Sequence, residues 1–148
     1  MEWQQGEFTI STNKSKLSVY YIHEFLSQQS YWAKDIPRHT VQKCIEASLC
    51  FGVYHQGRQI GFARAITDEA SFAYLADVFI DQAWHGRGLS KWLMQVIMQY
   101  PGLQGLRRMT LATRDAHELY RKFDFTGIKH PERLMQIVFD NIYTHAIR

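Results

Sequence analysis

The order of apolar runs predicts a mixed α/β (α+β) domain whose central sheet is mixed, mostly antiparallel and flanked by helices. Three observations carry this. Strand-like runs at residues 50–55, 59–66 and 72–80 follow one another through short polar loops, as in an antiparallel meander. A helical stripe over residues 89–100 then leads to a short apolar run at 109–112, and a strand–helix–strand crossover joins parallel neighbours. The 148 residues hold no repeat, linker or low-complexity segment, so residues 1–148 are expected to form one domain.

Each element has its own signal. Residues 7–11 alternate briefly, as a short first strand does. Residues 17–26 place apolar side chains three and four apart on one helical face. A polar break follows and ends in Tyr31 and Trp32. Pro37 opens a second helix that runs to about residue 49. The turn Gln56-Gly57-Arg58 makes the next two runs a hairpin, and the third run begins after residues 68–71. Leu89, Trp92, Leu93, Val96, Ile97 and Tyr100 keep a helical period until Pro101-Gly102 stops it. Ala116, Leu119, Tyr120 and Phe123 form a second stripe, with Asp115 and Glu118 spaced as a capping box. Residues 134–139 read as a last strand, an edge strand able to pair between subunits of a homodimer.

Composition narrows the function. Charged residues at 21% and hydrophobic residues at 46% exclude disorder, collagen and coiled coil. No run approaches the roughly 18 apolar residues of a membrane span, and residues 1–5 lack the basic and apolar parts of a secretion leader. A cytoplasmic protein without a membrane partner is expected. Cys44 and Cys50 are spaced C-x5-C, which matches no metal or redox motif, and the seven histidines are scattered, so no metal is expected. Residues 1–74 carry seven charges of each sign; residues 75–148 carry ten basic and seven acidic. That excess suits a small polyanion but is too sparse for nucleic acid.

The most informative stretch is Asp81-Gln82-Ala83-Trp84-His85-Gly86-Arg87-Gly88-Leu89-Ser90, between the third long strand and a helix. Two glycines at a helix entrance bare backbone N–H groups at the positive end of the helix dipole, which suits a phosphate or pyrophosphate. The alternative is a tight turn and nothing more. A Walker A loop is absent, and the G-x-G-x-x-G fingerprint fails because the sixth position is Lys91.

Residues 78–80 followed by His85-Gly86-Arg87-Gly88-Leu89-Ser90 resemble the acetyl-CoA signature of the Gcn5-related N-acetyltransferases, Arg/Gln-x-x-Gly-x-Gly/Ala. The stretch from Thr113 through Ala116, Leu119-Tyr120 and Phe123-Asp124-Phe125 is similar to the second signature of that family. Together the two blocks cover roughly residues 72–128. This sequence departs at His85, where Arg or Gln is usual, at Ser90 for a smaller residue, at Thr113 for Asn and at Asp124 for Gly.

The resemblance implies splayed strands that form an acetyl-CoA cleft. Val78, Phe79 and Ile80 would offer backbone groups to the pantetheine arm and polarise the thioester. His85, Gly86, Arg87, Gly88, Leu89 and Ser90 would hold the pyrophosphate, with Thr113 near the coenzyme. It implies an acetyl-CoA-dependent N-acetyltransferase acting on an amine of a small molecule or peptide. Tyr120 would be the general acid to the CoA thiolate, since a phenol stays protonated at neutral pH; the alternative for this residue on an apolar stripe is packing. Asp77 is the candidate base, directly or through water, with Asp68 and Glu69 as alternatives; its other reading is a buried pair with a donor such as an arginine. Tyr31, Trp32, Arg38 and Arg64 would line the acceptor side, the arginines suiting a carboxylate-bearing acceptor. A non-catalytic acyl-CoA-binding module and a nucleotide-binding domain of another kind stand as alternative readings.

Overall fold

Among the described residues six strands form one sheet whose spatial order follows the chain: β1 (Glu2–Gln5), β2 (Phe8–Ser11), β3 (Leu49–His55), β4 (Arg58–Thr67), β5 (Phe72–Ile80) and β6 (Arg108–Leu111).

 The sheet comes from a computed structural model that describes residues 1–144. β1 through β5 pair antiparallel, and β6 lies parallel to β5, as the crossover predicts. The meander and the strand near residues 8–11 are present. β1 is an addition: Gln5 pairs with Phe8 across a turn at Gly6. Trp3 is its one large apolar residue, so alternation in the sequence is too weak to reveal it.

Helices cover both faces of the sheet. α1 (Val19–Glu24) is capped by the Ser18 hydroxyl, which accepts from the Tyr21 N–H, and continues into a π-helical turn over Phe25–Gln29. α2 (Arg38–Glu46) follows Pro37. Their apolar stripes bury Ile22, Leu26, Val41 and Ile45 against Cys50, Phe62 and Phe79. On the opposite face, α3 (Leu89–Gln99) buries Leu93, Met94 and Ile97 against Ile10, Phe51, Val53, Ile60 and Leu75. Neighbouring strand residues thus serve different cores, which is why β3 and β4 read as nearly continuous apolar runs. No helix among the described residues is long and apolar enough to cross a membrane.

Two expectations are corrected in the C-terminal third. The capping box at Asp115 and Glu118 does not form, because α4 (His117–Arg121) starts late and takes Ala116 as its N-cap, leaving Asp115 outside the helix. The Thr113 hydroxyl accepts from the Ala116 N–H instead, at 3.0 Å. Residues 134–139 form no strand: none of the described strands pairs with them, and an apolar run without a ladder partner has nothing to hold it in a sheet.

β5 carries the irregularity that shapes the site. Phe62 pairs with Phe79 and Arg64 with Ala76, so Ala63 alone faces both Asp77 and Val78. This is a β-bulge, and Asp77 adopts φ +54° within it. Gly61 pairs with Ile80 just beyond, where a Cβ would stand 2.9 Å from the Phe79 carbonyl oxygen and 2.7 Å from Ile80 Cδ1. Only glycine lets the two backbones approach this closely beside the bulge.

Candidate active site

The parallel pairing of β5 with β6 ends at Leu75 and Leu111. β5 runs on to Ile80 while the other chain turns away, so the two strands part. A cleft of about 570 Å³ opens between them. One wall is Leu75, Ala76, Asp77 and Val78; the other is residues 111–116 with Tyr120. From Ala76 onward, the edge of β5 away from β4 has no ladder partner among the described residues. Those backbone groups are available to an extended ligand carrying amides of its own.

Tyr120 sits on α4 with its ring buried against Phe125 at 5.8 Å, edge to face. It lines the cleft, and no described residue hydrogen-bonds its hydroxyl. Burial, with smaller contributions from Tyr31 and Asp115, pushes its pKa up to about 12. Burial also raises Tyr54 to about 12 and lifts Tyr21 further. Phenols of an unfolded chain titrate near 10, so these groups contribute stability that is complete below about pH 10 and lost as pH climbs through 12. The urea midpoint is therefore expected to hold level to about pH 10 and then fall, with late phenolate absorbance; a level midpoint through pH 12 would contradict it.

Asp77 and Arg64 form the polar floor. Arg64 Nε donates to Asp77 Oδ2 at 2.6 Å, and Nη1 donates to the Ser48 hydroxyl at 3.0 Å. The Trp32 indole N–H donates to Asp77 Oδ1 at 2.7 Å. Burial alone would lower the pKa of Arg64, yet the adjacent Asp77 carboxylate raises it above the usual arginine range. The arginine pair, one of the readings open for Asp77, is present in this geometry. Asp68 and Glu69 lie ahead of β5, away from the cleft, and Asp68 accepts from the amides of Ala70, Ser71 and Phe72 in its own turn.

The connection between the first two helices roofs the mouth. Tyr31 and Trp32 meet edge to face at 5.0 Å. The Tyr31 hydroxyl accepts from the Arg114 N–H at 2.8 Å, and the Arg114 guanidinium lies 3.9 Å from the centre of the Tyr31 ring. Tyr31, Trp32 and Arg64 thus reach the cleft as expected. Arg38 does not: it stacks on Tyr20 at 4.6 Å and lines a separate groove beside α1, because α2 turns that side chain outward. Cys44, Tyr74 and Tyr143 also line the cleft and were not foreseen. Cys44 carries only the helical period as a signal, and Tyr143 comes from a segment with no local pattern that points inward.

The glycine loop lies at the far end of β5. The Asp81 carboxylate accepts from the Ala83 N–H at 3.0 Å and caps the 3-10 turn Gln82–Trp84. Gly86 and Gly88 adopt φ +81° and +75°, a backbone region that favours glycine. Gly88 is the N-cap of α3, and the first helical bond runs from the Trp92 N–H to its carbonyl. The amides of Leu89, Ser90 and Lys91 therefore stand free of intrahelical partners at the positive end of the dipole. His85 is turned inward: its ring Nε2 lies 2.7 Å from the Ile80 carbonyl oxygen, and its backbone N–H donates to the Gln82 carbonyl. Arg87 stacks over Trp84 at 4.7 Å. The Phe79 ring is committed to stacking on Phe25 at 3.8 Å, and the Leu89 side chain is buried, so these two residues bring only backbone to a ligand.

The chain thus joins a bulged strand that parts from its parallel neighbour to a glycine turn that enters the next helix. The chain belongs to the acetyltransferase (GNAT) family, whose pattern matches residues 19–125. A crystal structure of a candidate acetyltransferase of the GNAT family from Xanthomonas campestris is 48% identical, with a TM-score of 0.92, over 95% of this chain and 99% of that one. A candidate acetyltransferase of Gibberella zeae is 32% identical over 142 residues, spanning 81% of this chain and 79% of that relative. The fold is also shared with glucosamine-6-phosphate N-acetyltransferase from Arabidopsis thaliana, at 15% identity and a TM-score of 0.63 over 90% and 99% of the two chains.

Proposed function

We propose that this protein transfers an acetyl group from acetyl-CoA to a primary amine of a small molecule or peptide by direct attack, with Tyr120 as the general acid. The observation that carries this reading is the placement of an unbonded Tyr120 hydroxyl on the cleft wall opposite the unpaired edge of β5. When bound, acetyl-CoA supplies an activated thioester. The chain supports it at three places. The amides of Gly86 to Lys91 face the diphosphate, with Arg87 adding charge and Thr113 flanking the coenzyme from the second wall. Backbone groups of Val78 to Ile80 bond the pantetheine arm and polarise the thioester carbonyl. The Tyr120 hydroxyl, held protonated by its buried ring, donates to the departing thiolate.

The acceptor approaches from the side of Tyr31, Trp32 and Arg64. A carboxylate has about four acceptor positions, and Arg64 and Trp32 use two of those on Asp77. The remaining two draw the ammonium and take its proton, directly or through one water. Thermal melts with acetyl-CoA, CoA, NAD and ATP in parallel test the coenzyme. A ligand at 100 times its Kd adds about 2.7 kcal/mol of stability. A rise with the CoA species alone is expected, followed by thiol release across a panel of amines. No shift with CoA species refutes the reading, and a shift without turnover on any amine reduces it to a binding module.

A further inference from the structure

Resting on the acetyl-transfer reading, we infer the class of acceptor: a small primary amine on an aromatic or apolar chain, with no carboxylate beside its nitrogen. It is held in a cage of aromatic side chains around Asp77, which Tyr143 completes from the C-terminal segment. Four aromatic residues from three separate parts of the chain line the cleft: Tyr31 and Trp32 at its mouth, Tyr74 on β5, and Tyr143. Tyr143 packs against the core beneath α1 and α2. Burial pushes its phenol above the usual tyrosine range; Cys44 and Asp77 add to the rise and Arg64 opposes it. The hydroxyl end of Tyr143 therefore stands among those three groups, next to the carboxylate that would receive the ammonium.

The charges of the cleft favour a cation without a neighbouring anion. Its charged lining residues are Arg64, Asp77, Arg114 and Asp115. Both cations already have partners. Arg64 is turned to Asp77 and Ser48, and the Arg114 guanidinium rests on the Tyr31 ring. With Arg38 in another groove, the arginines that suited a carboxylate-bearing acceptor are committed elsewhere. An ammonium is drawn both by a carboxylate and by aromatic rings. A carboxylate on the carbon next to that nitrogen would come within about 4 Å of Asp77, where like charges repel strongly in a partly buried site. The negative faces of the rings add to that repulsion.

The mouth suits the rest of the molecule. Tyr31 and Trp32 leave 41% and 42% of their surface open, although both are large and apolar. A ring or hydrocarbon chain trailing from the amine would cover them. The Tyr31 hydroxyl meets the Arg114 N–H across the entrance, which admits a slender amine and excludes one borne on a folded chain.

Matched acceptors test this, with 2-phenylethylamine set against phenylalanine, which differs by one carboxylate, and against a short peptide with a free amino end. Wild-type kcat/KM is expected to favour 2-phenylethylamine over phenylalanine by roughly tenfold or more. Tyr143→Leu keeps an apolar side chain against the core but removes the ring, and should raise the KM for 2-phenylethylamine by about 2–30-fold. Tyr143→Phe keeps the ring and should retain the wild-type preference. Calorimetric titration of 2-phenylethylamine into the CoA-bound protein reads the cage without turnover. Selective binding that weakens in Tyr143→Leu supports the cage even if no amine is acetylated, an outcome that refutes only acetyl transfer. Acetylation of phenylalanine or the peptide as readily as 2-phenylethylamine overturns the cage and leaves acetyl transfer standing. Equal KM values for wild type and Tyr143→Leu, or no binding of 2-phenylethylamine at all, also overturn it.

Discussion

Tyr120→Phe is expected to lower kcat by about 10²–10⁴-fold, the range for loss of a positioned general acid. The change deletes one oxygen and keeps the ring against Phe125. That oxygen has no hydrogen-bond partner among the described residues, so folding should be nearly unaffected. The melting rise with acetyl-CoA should persist, because the diphosphate loop is on another element. The two measurements together separate chemistry from binding. An unchanged kcat would return Tyr120 to the packing role that its apolar stripe also permits.

Arg64→Met should have the largest effect on stability. It leaves Asp77 with a buried charge and only the Trp32 indole as a partner; the Asp77 side chain is 9% exposed and that of Arg64 14%. Breaking a buried pair from one side costs about 3–5 kcal/mol. For a domain of this size the lower figure corresponds to a fall of roughly 6–12 °C in Tm. Asp77→Asn on top of it removes the stranded charge, and asparagine tolerates the left-handed backbone at this position. The double variant should recover much of the loss in a calorimetric melt. If it melts no higher than Arg64→Met alone, the cost arises from lost arginine packing and not from the charge.

The candidate site was legible where its chemistry lies in the backbone. Gly86 and Gly88 before an apolar helical period locate a turn with free amides, and glycine permits the positive φ found at both. Tyr120 was legible through its resemblance to a known signature, whereas its position on an apolar stripe also suited packing. Asp77 in an apolar strand signalled that something must compensate its charge, but the sequence left the partner open. The bulge that turns it toward Arg64 depends on the pairing between β4 and β5, which one strand cannot express. Arg38 shows the opposite failure: it sits near Tyr31 and Trp32 in sequence, yet its helix directs it to another groove.

From residue order alone came the meander, the crossover, both principal helical stripes and the glycine turn, since these are periodic or conformational properties of short segments. Folding in three dimensions decided how far β5 and β6 stay paired, which donors hold Asp77, and that residues 134–139 find no strand partner among the described residues. Each of these depends on groups far apart in sequence meeting at a particular register, and local patterns do not encode register.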